Sequence, residues 1–215
     1  MRGVFVTGTD TGVGKTLACA ALMAAGPADL RYWKPVQSGA DDDDDRETVR
    51  RLAGLAPERI VSEGVRLRAP ASPHHAAALE GRVLSLAPLE AIGRTLSERV
   101  VVEGAGGLLV PLSDRLLLPD LVAALELPLL VVASTRLGTI NHILLTLAEA
   151  HRRGLAVTGL VLSGAPDPSA RTALAAHAPE VPVAELPPLD PTDADALARA
   201  GRTILAMPPL AQRIG

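Results

Sequence analysis

A chain of 215 residues that is 48 % hydrophobic can bury a core without staples, and its single cysteine, Cys19, excludes an intramolecular disulfide and a thiolate metal cluster. The formal charge of −3 owes much to one acidic run, Asp41 to Asp45, and the scattered arginines without interleaved aromatics exclude the basic face of a nucleic-acid binder. No apolar stretch approaches the roughly 18 residues of a membrane span, and the early charge at Arg2 argues against a secretory signal, so a cytoplasmic protein of one domain over residues 1–215 is expected.

Aromatic residues make up 1 % of the chain, which leaves Leu, Val and Ala to build the core. Short apolar runs bounded by Gly or Pro alternate with stretches of helical period. The pattern predicts an α/β fold with a mostly parallel sheet flanked by helices on both faces. In chain order it gives a strand over 3–7, a helix over 15–25, a strand over 31–36 and a helix over 46–55. A Pro-rich loop over 68–73, a helix over 87–99 and a strand over 100–103 follow. Then come a helix over 118–125, a strand over 129–133, a helix over 140–153, a strand over 157–162 and a helix over 169–177. A weaker strand over 181–185, a Pro-rich loop over 187–191 and a helix over 193–200 complete the pattern.

Between the first strand and the first helix lies Gly8-Thr9-Asp10-Thr11-Gly12-Val13-Gly14-Lys15-Thr16. In that context glycines let successive N–H groups turn inward and the helix presents its positive end. Lys15 then reaches the outer phosphates of a nucleotide, and Thr16 offers a hydroxyl to Mg²⁺. The interval between Gly8 and Gly14 is one residue longer than usual for a phosphate loop. The plain alternative is a glycine-rich turn carrying a surface lysine.

Mg²⁺ on such a loop needs acidic groups, because one hydroxyl cannot neutralise the cation. Glu103 ends the strand 100–103 just before Gly104-Ala105-Gly106-Gly107, at the edge where open α/β sheets place ligands. Its alternative is a capping or surface carboxylate. Of the aspartate run, Asp45 directly precedes the helix 46–55, where it could cap the helix and also face the phosphates, while the others read as solvated loop. Lys34 ends the second strand in Lys34-Pro35-Val36-Gln37-Ser38-Gly39 and is expected beside the phosphate loop at the same edge of the sheet. A second lysine there suits a reaction that builds negative charge on a transferred phosphoryl group or a carbamate oxygen; the alternative is an ordinary edge lysine.

The extended glycine loop, Lys34-Pro-Val-Gln-Ser-Gly, Pro70-Ala-Ser-Pro-His74, Val102-Glu-Gly-Ala-Gly-Gly and Leu137-Gly-Thr-Ile-Asn-His142 occur in the order seen in dethiobiotin synthetases. The resemblance runs from the first strand to about residue 164 and weakens afterwards; the longer loop spacing is normal in that family. It implies a P-loop NTPase fold and a homodimer that converts 7,8-diaminopelargonic acid, CO₂ and ATP into dethiobiotin, ADP and phosphate. By matched position Thr16, Asp45 and Glu103 would hold Mg²⁺, and Lys15 and Lys34 would stabilise the charge on phosphates and carbamate. Gly12, Val13, Gly14, Gly104, Ala105 and Gly106 would surround the nucleotide. Thr11 and Ser38 would bind near the reacting amines or the carbamate, and Gly138, Thr139, Ile140 and Asn141, opening a helix, would receive the substrate carboxylate from the neighbouring subunit.

For the base, the resemblance implies a pocket of Ser163, Pro187, Pro188 and Leu189. Many members have asparagine where this chain has Ser163. A rotating hydroxyl cannot present donor and acceptor in one fixed plane, so only a modest preference for ATP over CTP or GTP is expected.

Two other classes fit less well. A partitioning ATPase would carry a second lysine inside the loop, where this chain has Asp10, and in some cases a C-terminal amphipathic membrane helix, which the ending Met207-Pro-Pro-Leu-Ala-Gln-Arg-Ile-Gly215 lacks. A glutamine-dependent amidating synthetase needs a catalytic cysteine, whereas Cys19 reads as a small core residue behind the loop. Neither a Gly-x-Ser-x-Gly nucleophile nor a His-Glu-x-x-His metal motif is present.

Overall fold

The computed structural model describes residues 2–41, 44–96, 99–190 and 193–215. Asp42 and Asp43 of the acidic run, residues 97 and 98 of the expected helix 87–99, and Pro191 of the second Pro-rich loop lie outside the described residues.

In chain order the elements are β1 (Arg2–Gly8), α1 (Lys15–Ala25), β2 (Arg31–Trp33), β3 (Val36–Gln37), α2 (Asp45–Leu52), β4 (Ile60–Val61) and β5 (Val65–Arg66). Next come α3 (Pro73–Leu79), α4 (Leu86–Thr95), β6 (Arg99–Gly107), α5 (Leu118–Leu125), β7 (Leu129–Ser134) and α6 (Thr139–Arg152). The last are β8 (Val157–Ser163), α7 (Pro168–His177), β9 (Val183–Leu186), α8 (Ala194–Leu205) and α9 (Pro208–Ile214).

Seven strands form one sheet in the order β4-β2-β6-β1-β7-β8-β9, every neighbouring pair parallel. Because the Val and Leu runs are apolar on consecutive positions, both faces need cover. Val4, Val6, Tyr32, Val101, Leu130, Val132 and Val161 pack on one side with residues of α1, α2, α8 and α9. Phe5, Trp33, Val100, Val102 and Leu129 face α3, α4 and α5 on the other, where Val131, Ala133, Leu160 and Leu162 meet α6 and α7.

The helix α8 lies so close on α1 that a methyl group on Gly201 would sit 1.9 Å from the Ala21 carbonyl oxygen. Glycine is therefore the residue that lets these two helices touch backbone to backbone.

Several expectations need correcting. The second strand ends at Trp33 rather than Val36, because Pro35 has no N–H to donate to a ladder. Val36–Gln37 instead pairs with Val65–Arg66 in a separate two-stranded sheet. The fourth helix stops at Thr95, and Arg99 belongs to β6, where it pairs with Arg2 and reaches both carboxylate oxygens of Asp29 at 2.8 Å. The chain ending is helical: α9 buries Leu210 and Ile214 in the same core as α1, so its apolar residues are already covered by the protein. None of the described helices is long and apolar enough to cross a membrane.

Candidate functional site

The carboxyl edge of the sheet gathers the phosphate loop, Lys34, Asp45 and Glu103. Gly14 is left-handed (φ 99°) and starts α1 without any side-chain cap, so the first N–H groups of that helix remain directed at the loop's interior. By contrast α2, α7 and α8 are capped by Asp44, Asp167 and Asp193. The space that a Gly14 side chain would take is filled by Ser163, whose hydroxyl would stand 2.3 Å from a β-carbon there.

Lys15 is buried, and its ammonium donates to the Asp10 carbonyl at 3.0 Å, closing the loop on itself. Burial, and then the positive charge of Lys34, pushes it below the ordinary lysine range. The Val13 side chain is buried in the core, so only its backbone lines the loop. Gly12 and Gly106 are both left-handed, at φ 71° and 61°.

The lysine expected beside the loop is one strand further away than the chain order suggests: β6 lies between β1 and β2. Lys34 still joins the cluster, because its side chain reaches over the end of β6. Its ammonium contacts Asp45 Oδ2 at 2.5 Å and donates to Glu103 Oε1 at 2.9 Å and the Gly104 carbonyl at 3.1 Å. Three acceptors therefore meet three ammonium protons. Burial alone would lower its pKa, but Glu103 and Asp45 outweigh burial and hold Lys34 above the ordinary range. With Lys34 and Glu103 only 3 % and 1 % exposed, neither is the surface residue of the plain alternatives.

The Thr16 hydroxyl stands 2.9 Å from Asp45 Oδ1 and 3.0 Å from Glu103 Oε1. One proton cannot serve both carboxylates fully. Two carboxylates and a hydroxyl, all hard oxygen donors, fit Mg²⁺ on a phosphate loop, where the nucleotide and water complete the shell. No group of three or more His, Cys, Asp or Glu able to cage a metal by itself occurs among the described residues. Asp45 is not the helix cap that its position suggested. Asp44 takes that place, accepting from Arg46 N at 3.1 Å and pairing with Arg66, which leaves Asp45 as the first helical residue, free to face Thr16.

Two members of the cluster were not singled out from the sequence as site residues. Tyr32 donates to Glu103 Oε2 at 2.8 Å, and the Cys19 thiol lies against the same carboxylate; burial and Glu103 push both groups well above their ordinary pKa. The alternation of β2 could have revealed Tyr32, a lone tyrosine two residues before the lysine. Ser38 Oγ is buried with no hydrogen-bond partner among the described residues, in the segment that packs along residues 67–70, and Thr11 is exposed on the loop. Gly138 is left-handed (φ 95°) and opens α6 without a side-chain cap; Ile140 and exposed Asn141 follow, and Thr139 Oγ1 is buried with no partner among the described residues. No hydrogen bond or ion pair joins these four to the Lys34 cluster among the described residues. Pro187, Pro188 and Leu189 follow β9 at the same sheet edge as Ser163.

An apolar groove of about 310 Å³ runs from Thr9 and Asp10 past Leu108, Leu109 and Val110 to Leu145 on α6. A larger groove of about 510 Å³, between α3 and residues 112–116, shares no lining residue with the cluster.

Comparison with known proteins converges on one family. An AAA domain model matches residues 2–196. The chain is 47 % identical over 199 residues to the ATP-dependent dethiobiotin synthetase of Rhizorhabdus wittichii, covering 93 % of each protein, and 44 % identical over 198 residues to that of Rhodopseudomonas palustris, covering 92 % of this chain and 91 % of the relative. In fold it is similar to the cell-division ATPase MinD of Pyrococcus furiosus, with a TM-score of 0.54 at 17 % identity over 95 % of this chain and 98 % of the other. It is likewise similar to McdA of Cyanothece, with a TM-score of 0.55 at 14 % identity over 98 % and 92 %. At such identities the latter two show the fold alone. With seven parallel strands, a lysine-closed phosphate loop and close to half its residues shared with relatives of the same length, the chain belongs to the ATP-dependent dethiobiotin synthetases.

Proposed function

We propose that this chain closes a ureido ring: it takes 7,8-diaminopelargonic acid, CO₂ and ATP to dethiobiotin, ADP and phosphate. The observation that carries the reading is Lys34, an ammonium buried between Asp45 and Glu103, the two carboxylates that also flank Thr16 of the phosphate loop. A nucleotide clamp alone has no need of a second buried cation there.

One amine of the substrate captures CO₂ as a carbamate and loses a proton. A carbamate oxygen then attacks the γ-phosphorus, breaking its bond to the bridging oxygen and releasing ADP. The second amine attacks the carbamoyl carbon of the mixed anhydride, loses a proton and expels phosphate. Lys15, held by the loop, faces the phosphates. Lys34 holds its positive charge where the carbamate and the migrating phosphoryl group coexist, and such a preplaced charge acts most strongly on the transition state. Thr16, Asp45 and Glu103 would hold Mg²⁺, which when bound supplies positive charge to the phosphate oxygens. No covalent enzyme intermediate is required.

The apolar groove beside Asp10 suits the methylene chain of the diamine. The uncapped start of α6 suits its carboxylate, received from a second copy of the chain in a homodimer with shared sites. The working unit is read as a single cytoplasmic domain acting as a pair. Asp10 in place of a second loop lysine separates this reading from the switch ATPases that share the fold.

The test is a four-component assay. Protein incubated with diaminopelargonic acid, bicarbonate, Mg²⁺ and ATP should release ADP only when all four are present. Hydrolysis indifferent to the diamine would refute the reading.

A further inference from the structure

We infer that Tyr32 is a positioning residue for Glu103, fixing the carboxylate so that only Oε1 faces Thr16 and Lys34. The inference rests on the reading of Glu103 as a Mg²⁺-holding group. Tyr32 is paired in register with Val101, and side chains alternate along a strand. Tyr32, Val101 and Glu103 therefore stand on one face of the sheet, the face covered by α1, where Tyr32 and Val101 share a core. The phenol donates to Oε2 at 2.8 Å, with both residues buried. Oε1 receives Thr16 and Lys34 instead. The two carboxylate oxygens thus have separate duties, one for anchorage and one for chemistry.

A glutamate at the end of a strand can rotate about its terminal bond and exchange its oxygens. A donor on a ring packed in the core removes that freedom before any cation arrives, as outer partners of metal ligands do elsewhere. The choice of a neutral donor also matters: it orients Glu103 without cancelling the negative charge that Lys34 and a metal both need. Phenylalanine would fill the same space, and a core otherwise poor in aromatics has no evident packing need for this hydroxyl.

Tyr32→Phe keeps the ring and deletes the donor. ATP binding should be measured without the diamine, first in EDTA and then across a Mg²⁺ titration. The metal-free affinity is expected to stay within about twofold of wild type, while the Mg²⁺ concentration giving half of the tightening rises about tenfold, equivalent to about 1.4 kcal/mol. A merely structural role would move both quantities or neither. Equal Mg²⁺ dependence in the two proteins overturns the inference and leaves the proposed function standing. If wild type itself shows no Mg²⁺ dependence, the reading of Glu103 falls and takes the inference with it.

Tyr32 is the chain's single tyrosine, so uniform 3-fluorotyrosine labelling gives one ¹⁹F resonance. That signal should shift when Mg²⁺ is added to the ATP-bound protein, and the shift should vanish in Glu103→Gln. Should Tyr32→Phe fail to fold, a resonance indifferent to Mg²⁺ in the ATP-bound wild type would overturn the inference on its own.

Discussion

Replacing Lys34 by methionine keeps the length and the apolar stem of the side chain and removes the charge alone. In the resting protein this strips a cation from contact with Asp45 and Glu103 and leaves the Gly104 carbonyl without its donor. Breaking a buried ion pair from one side costs about 3–5 kcal/mol. The lower end applies, about 3 kcal/mol, because Tyr32 and Thr16 still donate to Glu103 and the Asp45 side chain is 19 % exposed. Catalysis should suffer separately. Removing one preplaced donor from a developing oxyanion costs a factor of about 10²–10³ in kcat, and a full charge belongs at the upper end. Equilibrium denaturation with and without Mg²⁺ and ATP, and initial rates of ADP release at saturating diamine, measure the two effects. ATP should still bind, and Mg²⁺ with ATP should recover part of the lost stability by neutralising the same carboxylates. Turnover within a few fold of wild type, or a stability loss below about 1 kcal/mol, would refute the assignment of Lys34 as the charged centre of the cluster.

Asp44→Ala should cost about 1 kcal/mol in a melting experiment through the lost cap of α2 and yet leave the Mg²⁺ requirement of turnover unchanged, whereas Asp45→Asn should raise that requirement. With Ser163 where an asparagine could read the base edge, competition under turnover should show a preference for ATP over CTP or GTP of less than a hundredfold, about 2.7 kcal/mol; a larger value would need a base contact outside Ser163 and residues 187–189. An inactive Lys34→Met chain and an inactive Asn141→Asp chain should partly restore activity when co-assembled, and no rescue in verified heterodimers would count against shared sites. The half-buried Glu149 is held at a pKa of about 2 by Arg152 and Arg153. A depressed carboxylate stabilises above its unfolded pKa of 4.5 and loses that effect as pH falls toward 2, so the melting temperatures of wild type and Glu149→Gln should converge over that interval.

Most of the sheet was legible because apolar runs such as Leu129–Ser134 and Val157–Ser163 need helices on both sides, and α1 and α5 have the predicted bounds. Sequence order misled about neighbours. Nothing local says that β6, some seventy residues further on, inserts between β1 and β2 and carries Glu103 between the two lysines. The short pieces also escaped notice. Ser72-Pro73 and Met207-Pro208 each start a seven-residue helix, too brief to display a period, though proline at a first helical turn is a usable signal. Within the site, the residue types and spacings pointed to Lys15, Lys34, Asp45 and Glu103. Alternation along β2 could have drawn notice to Tyr32, but the register that aims its hydroxyl at Glu103 is recorded by no motif.

The contact of Gly201 with Ala21 gives α8 an influence on the phosphate loop at the other end of α1. Lys15 and Thr16 begin a helix whose far side leans on α8, so the steadiness of the phosphate loop is inherited from a segment near the opposite end of the chain. A side chain as small as alanine at position 201 would act as a wedge, tilting that lever at its base and displacing Lys15 and Thr16 at its tip, so the phosphate loop would be shifted from behind without a change to any of its own residues.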